Sequence, residues 1–233
     1  MLIAAAALAH DCVEADVDAL ATLQAPAVIV LGERHGEKGD MKRAQHLVER
    51  LMERGSVTLA VEAVHEKNQG TLDRYAAGEV KTGKLPRELH WDDTWGFAWK
   101  PYKKLVTGSR RGWAVVAAGL DLGPKPDERE VPLPEGYAER MMKAIEAHAH
   151  LMKPEVRERF PVSMAWRDFR IGELALEGWS GEGYLVVLTG RGHVEGGQGT
   201  NWQLAQLTDA PVHSVVLDHD GAQCLDGDRV WPD

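Results

Sequence analysis

The sequence predicts an α/β fold in which a mostly parallel sheet is flanked by helices and interrupted by a helical insertion. Three observations predict it: short apolar runs rich in β-branched residues, helical patterns between them, and short connections within the first strand–helix–strand segment. The predicted strands are Ala27–Leu31, Val57–Val61, Ala114–Ala118, Tyr184–Thr189 and Val212–Leu217.

Helices are predicted where apolar residues recur at spacings of three and four. The first is expected over Asp11–Leu23. The second runs from Met41 to Gly55 with Asp40 as its N-cap. Three later helices are expected over Tyr137–Lys153, over Ser163–Glu177 with Ser163 as cap, and over Asn201–Leu207. Strand, helix and strand in this order, closely connected, predict parallel right-handed units.

The length of 233 residues fits one domain, which we expect to span residues 1–233. Residues 66–111 are predicted to be the helical insertion, and residues 123–136, which contain four prolines, are predicted to be a loop or lid.

Composition excludes several classes of partner. The formal net charge is −9 and no long run of Lys or Arg occurs, so neither nucleic acid nor an anionic membrane is an expected partner. The apolar segment Leu2–Ala9 is too short to span a bilayer and lacks a basic flank, which favours a cytoplasmic protein over a secreted or lipid-anchored one. Cys12 and Cys224 form no metal or haem motif.

The candidate site begins where the first buried strand ends. Gly32 is followed at once by Glu33, Arg34 and His35. In open α/β sheets ligands bind at the carboxyl ends of strands, so these ionisable side chains are expected at a binding site.

A second strand ends in the same way. Gly190, Arg191, Gly192 and His193 follow the strand Tyr184–Thr189, so both strands end in Gly-x-x-His. The glycine is expected to let the chain turn sharply and to present His35 and His193 across one crevice. The strand Val57–Val61 ends in Glu62, which should emerge at the same edge.

These residue types predict a metal centre. His35, His193 and Glu62 would be ligands of a divalent metal such as Zn, Mn, Co or Fe, with Glu33 as a further ligand or general base. Arg34 or Arg191 would bind a substrate carboxylate or phosphate. The alternative is that each Gly-x-x-His is a tight turn whose histidine only caps a helix.

His90, Trp91, Trp95 and Trp99 form a possible aromatic face in the insertion. Burial in the core explains such spacing better than a cofactor wall does.

Several segments together resemble the ChaN-like family of the Tiki superfamily. The matching pieces are Leu31-Gly32-Glu33-x-His35, Gln45, Val61-Glu62, Gln69-x-x-Leu72-Asp73-Arg74-Tyr75-x-x-Gly78, Trp99-Lys100-Pro101-Tyr102, Met164-Ala165-Trp166-Arg167-Asp168 and Gly190-x-Gly192-His193. The chain departs from the family pattern at Gly119, where relatives tend to have Asn, and at Ile171-Gly172, where they tend to have Met-Ala.

The resemblance implies an α/β fold with its site at the strand ends. ChaN-like members are associated with haem binding and iron uptake, whereas Tiki-type members are metal-dependent proteases and the distant erythromycin esterases hydrolyse an ester.

Two functions follow as hypotheses. The first is a metal-dependent hydrolase acting on a small-molecule or peptide substrate, by cleavage of a peptide, amide or ester. The second is a non-catalytic haem- or iron-binding protein, with Tyr75, Tyr102 or His90 near the tryptophans. A homodimer is compatible with either.

Overall fold

The computed structural model describes residues 13–121, 130–217 and 229–231. The N-terminal segment Leu2–Ala9, both cysteines and the first half of the predicted Pro-rich loop, residues 123–129, therefore lie outside the described residues. No helix within the described ranges is both long and apolar enough to cross a bilayer.

Within the described residues the strands form one parallel sheet of seven members, in the order β1-β7-β6-β2-β5-β3-β4. Their bounds are β1 Val13–Glu14, β2 Ala27–Glu33, β3 Val57–His65, β4 Ala114–Gly119, β5 Tyr184–Gly190, β6 Val212–Leu217 and β7 Arg229–Trp231. The α/β class and the parallel sheet predicted from the sequence are confirmed.

The helices lie between the strands. Their bounds are α1 Val17–Ala21, α2 Lys38–Met52, α3 Gln69–Ala76, α4 Leu85–Glu88, α5 Trp91–Thr94, α6 Trp99–Val106, α7 Tyr137–Ile145, α8 Pro154–Glu177 and α9 Thr200–Leu207. The segment between β3 and β4, predicted as a helical insertion, thus contains α3 to α6 with short 3₁₀ turns at either end.

Both faces of the sheet are covered by helices, and the central strands are therefore continuous apolar runs in the sequence. Alternate residues of β2 point to opposite faces. Ile29 and Leu31 belong to a core that includes residues of α2 and of the β3–β4 segment. Val28 and Val30 pack in a second core with residues of α8 and α9.

Several helix boundaries differ from the predicted ones. α2 begins at Lys38, and Asp40 lies buried in its first turn, where its side chain accepts a hydrogen bond from the Arg34 amide at 2.7 Å. α8 begins at Pro154, because proline is well tolerated in a first helical turn, so Ser163 lies inside the helix and does not cap it.

Other differences lie near the chain ends and after α7. α1 is one short helix preceded by β1, and α7 passes into a 3₁₀ helix over Glu146–Leu151. The two short strands β1 and β7, at one side of the sheet, were not predicted, because segments of two and three residues carry no detectable period.

Candidate functional site

Three neighbouring strands bring the predicted site residues to one edge of the sheet. β5 lies between β2 and β3, with Glu33 opposite Gly190 in the register of β2 and β5. On the other side Val61 lies opposite Leu188, so Glu62 follows at the same level. The placement of Glu33, Glu62 and both histidines at one sheet edge follows from this register.

The glycines of the two Gly-x-x-His segments allow the two segments to lie close together, and they do not form a sharp turn. Neither Gly32 nor Gly190 has a positive φ. A Cβ atom on Gly190 would lie 2.8 Å from Cε1 and 2.9 Å from Nε2 of His35, and one on Gly32 would lie 2.9 Å from the Cα atom of Arg191. The expected reason for the glycines was therefore wrong: each one leaves room for the other strand's motif.

His35 is held from one side and open on the other. Its Nδ1 atom lies 2.7 Å from Oε1 of Glu33, and the Tyr102 hydroxyl donates to the same oxygen at 2.9 Å. The ring packs edge-on against Trp95, with centroids 4.6 Å apart, and lies 5.4 Å from the ring of Phe97. The side chain is 31% exposed, and no described residue forms a hydrogen bond with Nε2.

His193 is engaged at both ring nitrogens. Nδ1 lies 2.7 Å from Oδ1 of Asp168, and Nε2 faces Oε1 of Glu62 at 3.5 Å. Asp168 is fully buried and also accepts hydrogen bonds from the hydroxyls of Tyr137 at 2.6 Å and Thr200 at 2.9 Å. This histidine is therefore fixed within a buried polar network.

Glu62 lies between the two histidines. Its Oε2 atom accepts hydrogen bonds from the Thr189 hydroxyl at 2.7 Å and from the Gly190 amide at 2.8 Å, and Oε1 faces Arg167 at 3.4 Å. The register of β3 with β4 shifts just after Val61, which places Gly119 so close that a Cβ atom there would lie 2.1 Å from the Glu62 carbonyl oxygen. The departure from the family pattern at Gly119 thus has a local steric reason.

The shifts in pKa at this site are those expected of an ionised Glu62 carboxylate next to positively charged side chains. Burial alone would raise the pKa of Glu62, but the charges of His193, His35 and Arg167, with the Gly190 amide, lower it to about 2. Burial would lower the pKa of both histidines. The Glu33 hydrogen bond and Glu62 charge outweigh burial at His35, as the Glu62 and Asp168 charges do at His193, so both pKa values are raised.

Glu33 behaves differently from Glu62. Burial raises its pKa despite the opposing contacts with His35 and Tyr102. Its Oε2 atom is buried without a hydrogen-bond partner. Glu33 is thus suited to orient His35 through Oε1.

The two predicted arginines do not converge on the histidines. Arg34 is exposed, and Arg191 pairs with Glu195 one turn further along its loop. Arg167 instead contacts Glu62, and Asp168 contacts His193. Neither α8 residue was selected as a site residue from the sequence, although both stand in the Met164–Asp168 segment that carries the family resemblance.

A cavity of about 230 Å³ opens beside His35. Glu62, Arg167 and His65 contribute its polar lining, and Trp95 and Phe97 contribute aromatic surface. Phe97 is 41% exposed at the rim. Part of the cavity wall thus comes from the loop between α5 and α6.

Of the predicted aromatic face, Trp91 is part of the core, and Trp95 and Trp99 are partly buried and pack against it. Trp91 is buried and donates from Nε1 to the Phe97 carbonyl oxygen, and the hydroxyls of Tyr75 and Tyr102 are bonded internally. His90 is exposed in a left-handed conformation. Trp95 alone of the three tryptophans lines the cavity.

Within the residues that the structure describes, no group of three His, Cys, Asp or Glu side chains is arranged to hold a metal ion. The predicted divalent-metal centre therefore stays a prediction.

Fold and site together define a protein with a parallel sheet covered by helices on both faces and a histidine–carboxylate cluster at the strand ends. The family model described as haem-binding uptake, Tiki superfamily, ChaN matches residues 19–123. The resemblance to ChaN-like proteins is confirmed.

Solved structures share the fold at low sequence identity. The structure described as cofacial heme binding to ChaN of Campylobacter jejuni has a TM-score of 0.68 and 20% identity, covering 87% of this chain and 86% of that one. The type III effector HopBA1 has a TM-score of 0.56 and 17% identity, covering 93% and 91%. No curated protein is detectably similar to the chain in sequence.

A third match is part of a longer protein. The structure described as showing a thiol-protease-like catalytic triad in the C-terminal region of Pasteurella multocida toxin has a TM-score of 0.54 and 15% identity, and the match covers 92% of this chain but 27% of that one.

Proposed function

We propose that this protein binds haem and that Nε2 of His35 would be the protein ligand of the iron. The observation that carries the proposal is the asymmetric imidazole of His35. Nδ1 is fixed by Glu33, whereas Nε2 has no partner among the described residues and the ring lines a cavity.

The donor set fits haem iron. Metal-binding histidines usually donate their other ring N–H to a carboxylate, which fixes the tautomer and makes the free nitrogen a better ligand. Glu33 is placed to do this for His35. Histidine is a common axial ligand of haem, and Trp95 and Phe97 offer the apolar aromatic surface that a porphyrin needs beside it.

The size of the cavity limits how haem would be held. Its volume of about 230 Å³ is below the roughly 300–1,000 Å³ of typical ligand pockets, so it cannot enclose a porphyrin. Most of the ring would lie outside it, beside the exposed Phe97. When bound, haem would supply an iron centre, and this chain's residues would bind and orient it. The family description and the ChaN structure point to the same ligand.

A haemin titration followed by absorption tests the proposal. We expect a saturable Soret shift in the wild-type protein and at least about a tenfold loss of affinity in His35→Ala. His90→Ala is the matched control, because His90 is exposed and does not line the cavity. No saturable shift, or equal shifts in the two variants with unchanged circular dichroism, would contradict it.

The second candidate is a metal-dependent hydrolase of a peptide, amide or ester. It is favoured by one observation: Glu62 is kept ionised between His35 and His193, an arrangement suited to charge stabilisation and proton transfer. His35, His193 and Glu62 would hold a divalent Zn, Mn, Co or Fe ion, with Glu33 as ligand or general base. Arg34 or Arg191 would stabilise negative charge only after a rearrangement, since Arg34 is exposed and Arg191 is paired.

Metal content and hydrolysis separate the candidates. Protein purified without added metal would be reconstituted with each divalent ion and incubated with peptide and ester libraries. The hydrolase hypothesis expects turnover that Glu62→Gln abolishes and the exposed Glu79→Gln does not. If no ion binds and no substrate is cleaved while haemin binds through His35, the hydrolase hypothesis is wrong.

A further inference from the structure

A second cavity, of about 640 Å³, lies between α7 and the loop after β5. Arg140, Lys143 and Arg191 line it together with two carboxylates, Glu139 and Glu195. None of these residues lines the cavity beside His35. It is therefore a separate feature of the described surface.

Arg140 has an unusual set of partners for a half-buried cation. Nε donates to Oε1 of Gln198 at 3.0 Å, and Nη1 donates to the Gly192 carbonyl oxygen at 3.4 Å. Nη2 is buried without a hydrogen-bond partner. The guanidinium group also lies 5.4 Å from the centroid of the Tyr137 ring. All of these partners are uncharged.

The missing partner is a negative charge. Buried charged groups are normally paired, and an unsatisfied guanidinium N–H loses the hydrogen bonds it would make in water. Within the described residues neither Arg140 nor Lys143 forms an ion pair, whereas Arg191 is paired with Glu195. Arg140 and Lys143 lie three residues apart on α7, which puts them on one helix face.

We propose that this cavity binds the carboxylate of a small organic acid, with Arg140 as the principal ligand. The formal charges favour a singly charged anion, because three cations and two carboxylates leave one positive charge unbalanced. A guanidinium matches a carboxylate in shape and charge, and Lys143 adds a second cation. Because Nη2 is buried, a bidentate contact requires a small rotation of the Arg140 side chain. The volume lies in the range of small-molecule sites.

The proposed ligand Arg140 also contacts the second Gly-x-x-His segment. Arg140 donates to the carbonyl oxygen of Gly192, the residue before His193. Its neighbour Tyr137 donates to Asp168, which holds His193. Occupation of the cavity is thus linked through two short chains of contacts to the fixed histidine, without contact to the open one.

Calorimetric titration of the full chain with 4-phenylbutyrate and its neutral amide tests the proposal. We expect saturable binding of the acid and none of the amide. Arg140→Gln should weaken binding about tenfold or more, and Lys143→Gln a few-fold. Arg87→Gln is the control, because Arg87 is exposed and pairs only with Glu88.

Arg140→Lys is a second variant for the case that Arg140→Gln does not fold. It keeps the positive charge but lacks the planar guanidinium group, so it should bind 4-phenylbutyrate more weakly than wild type does. Inorganic phosphate is titrated in parallel. Equal binding of acid and amide, binding of phosphate alone, no saturable binding of the acid, or undiminished affinity in the folded Arg140 variants would each overturn the proposal. Haemin binding is expected to survive in Arg140→Gln, which separates this site from the proposed haem ligand.

Discussion

The two Gly-x-x-His segments share one sequence plan and end adjacent strands, yet their histidines differ in environment. His35 is 31% exposed, with one nitrogen held by Glu33 and the other unpartnered among the described residues. The side chain of His193 is 9% exposed, and its two nitrogens face Asp168 and Glu62. The motif therefore fixes where each imidazole lies, whereas the surrounding helices decide what it can do.

The difference divides the cluster into a binding side and a supporting side. The loop between α5 and α6 leaves His35 facing a cavity, and α8 covers His193 with Asp168. The negative charge of Glu62 acts on both sides, because it raises the pKa of His35 and that of His193. Substitutions on the supporting side should mainly lower the free energy of unfolding, and substitutions on the binding side should mainly weaken ligand binding.

The largest expected effect is that of Asp168→Ala. The substitution removes the acceptor of three hydrogen bonds and leaves His193, Tyr137 and Thr200 unsatisfied in the interior. Removing one partner of a buried charged pair costs about 3–5 kcal/mol of unfolding free energy. Urea unfolding measures it, with the exposed Asp92→Ala as control. A loss below about 1 kcal/mol would show that His193 is not fixed in this way.

The next effect is a loss of stability in acid. The pKa of Glu62 is lowered to about 2 in the folded protein, against about 4.3 in an unfolded chain. Its contribution, of the order of 3 kcal/mol, is present above about pH 4 and is lost as the pH falls toward 2. The raised pKa values of His35 and His193 act in the opposite sense: their contribution is full below about pH 6.5 and is lost as the pH rises through those values.

Urea unfolding from pH 2 to 6 tests the acid limb. Wild-type protein should lose stability on acidification, whereas Glu62→Gln should start less stable and show a flatter profile. Glu79→Gln, which alters an exposed pair, should follow wild type. Parallel profiles for wild type and Glu62→Gln would contradict an ionised, stabilising Glu62.

A glycine pair tests the close approach of the two motifs. In Gly190→Ala the new methyl group would lie within 3 Å of the His35 ring, so we expect a loss of about 1–3 kcal/mol and weakened haemin binding. Gly192→Ala is a matched control two residues away, because a Cβ atom there meets nothing within 4 Å and the backbone has no positive φ. Equal effects of the two substitutions would contradict the steric role of Gly190.

The sheet was more predictable than the site. Strong apolar periods placed the central strands, and the observed β6 has the predicted bounds Val212–Leu217. Parallel strands end at one edge, so Glu33, Glu62 and both histidines could be expected together. The contact between Asp168 and His193 could not be predicted, because it depends on how α8 packs on the sheet, and no local sequence pattern determines that packing.

The arginines show the same limit. Arg34 is the third residue of its Gly-x-x-His motif and Arg191 is the second residue of the other; Arg34 is exposed, and Arg191 pairs with Glu195. The direction of a side chain after a strand depends on the loop that follows. Arg167, the arginine that does contact Glu62, lies on a helix distant in sequence.

The smallest expected effect on stability is that of a substitution on the binding side, next to His35. Phe97→Ala removes a 41% exposed ring that lies 5.4 Å from the His35 ring, so the unfolding free energy should change by no more than about 0.5 kcal/mol. Haemin affinity should nevertheless fall a few-fold, because the substitution removes aromatic surface beside the proposed ligand. The similarly exposed Leu207→Ala, on α9 outside the cavity, is the control for loss of apolar surface. A stability loss above 1 kcal/mol with unchanged haemin affinity would place Phe97 in the supporting structure and leave His35 without its aromatic flank.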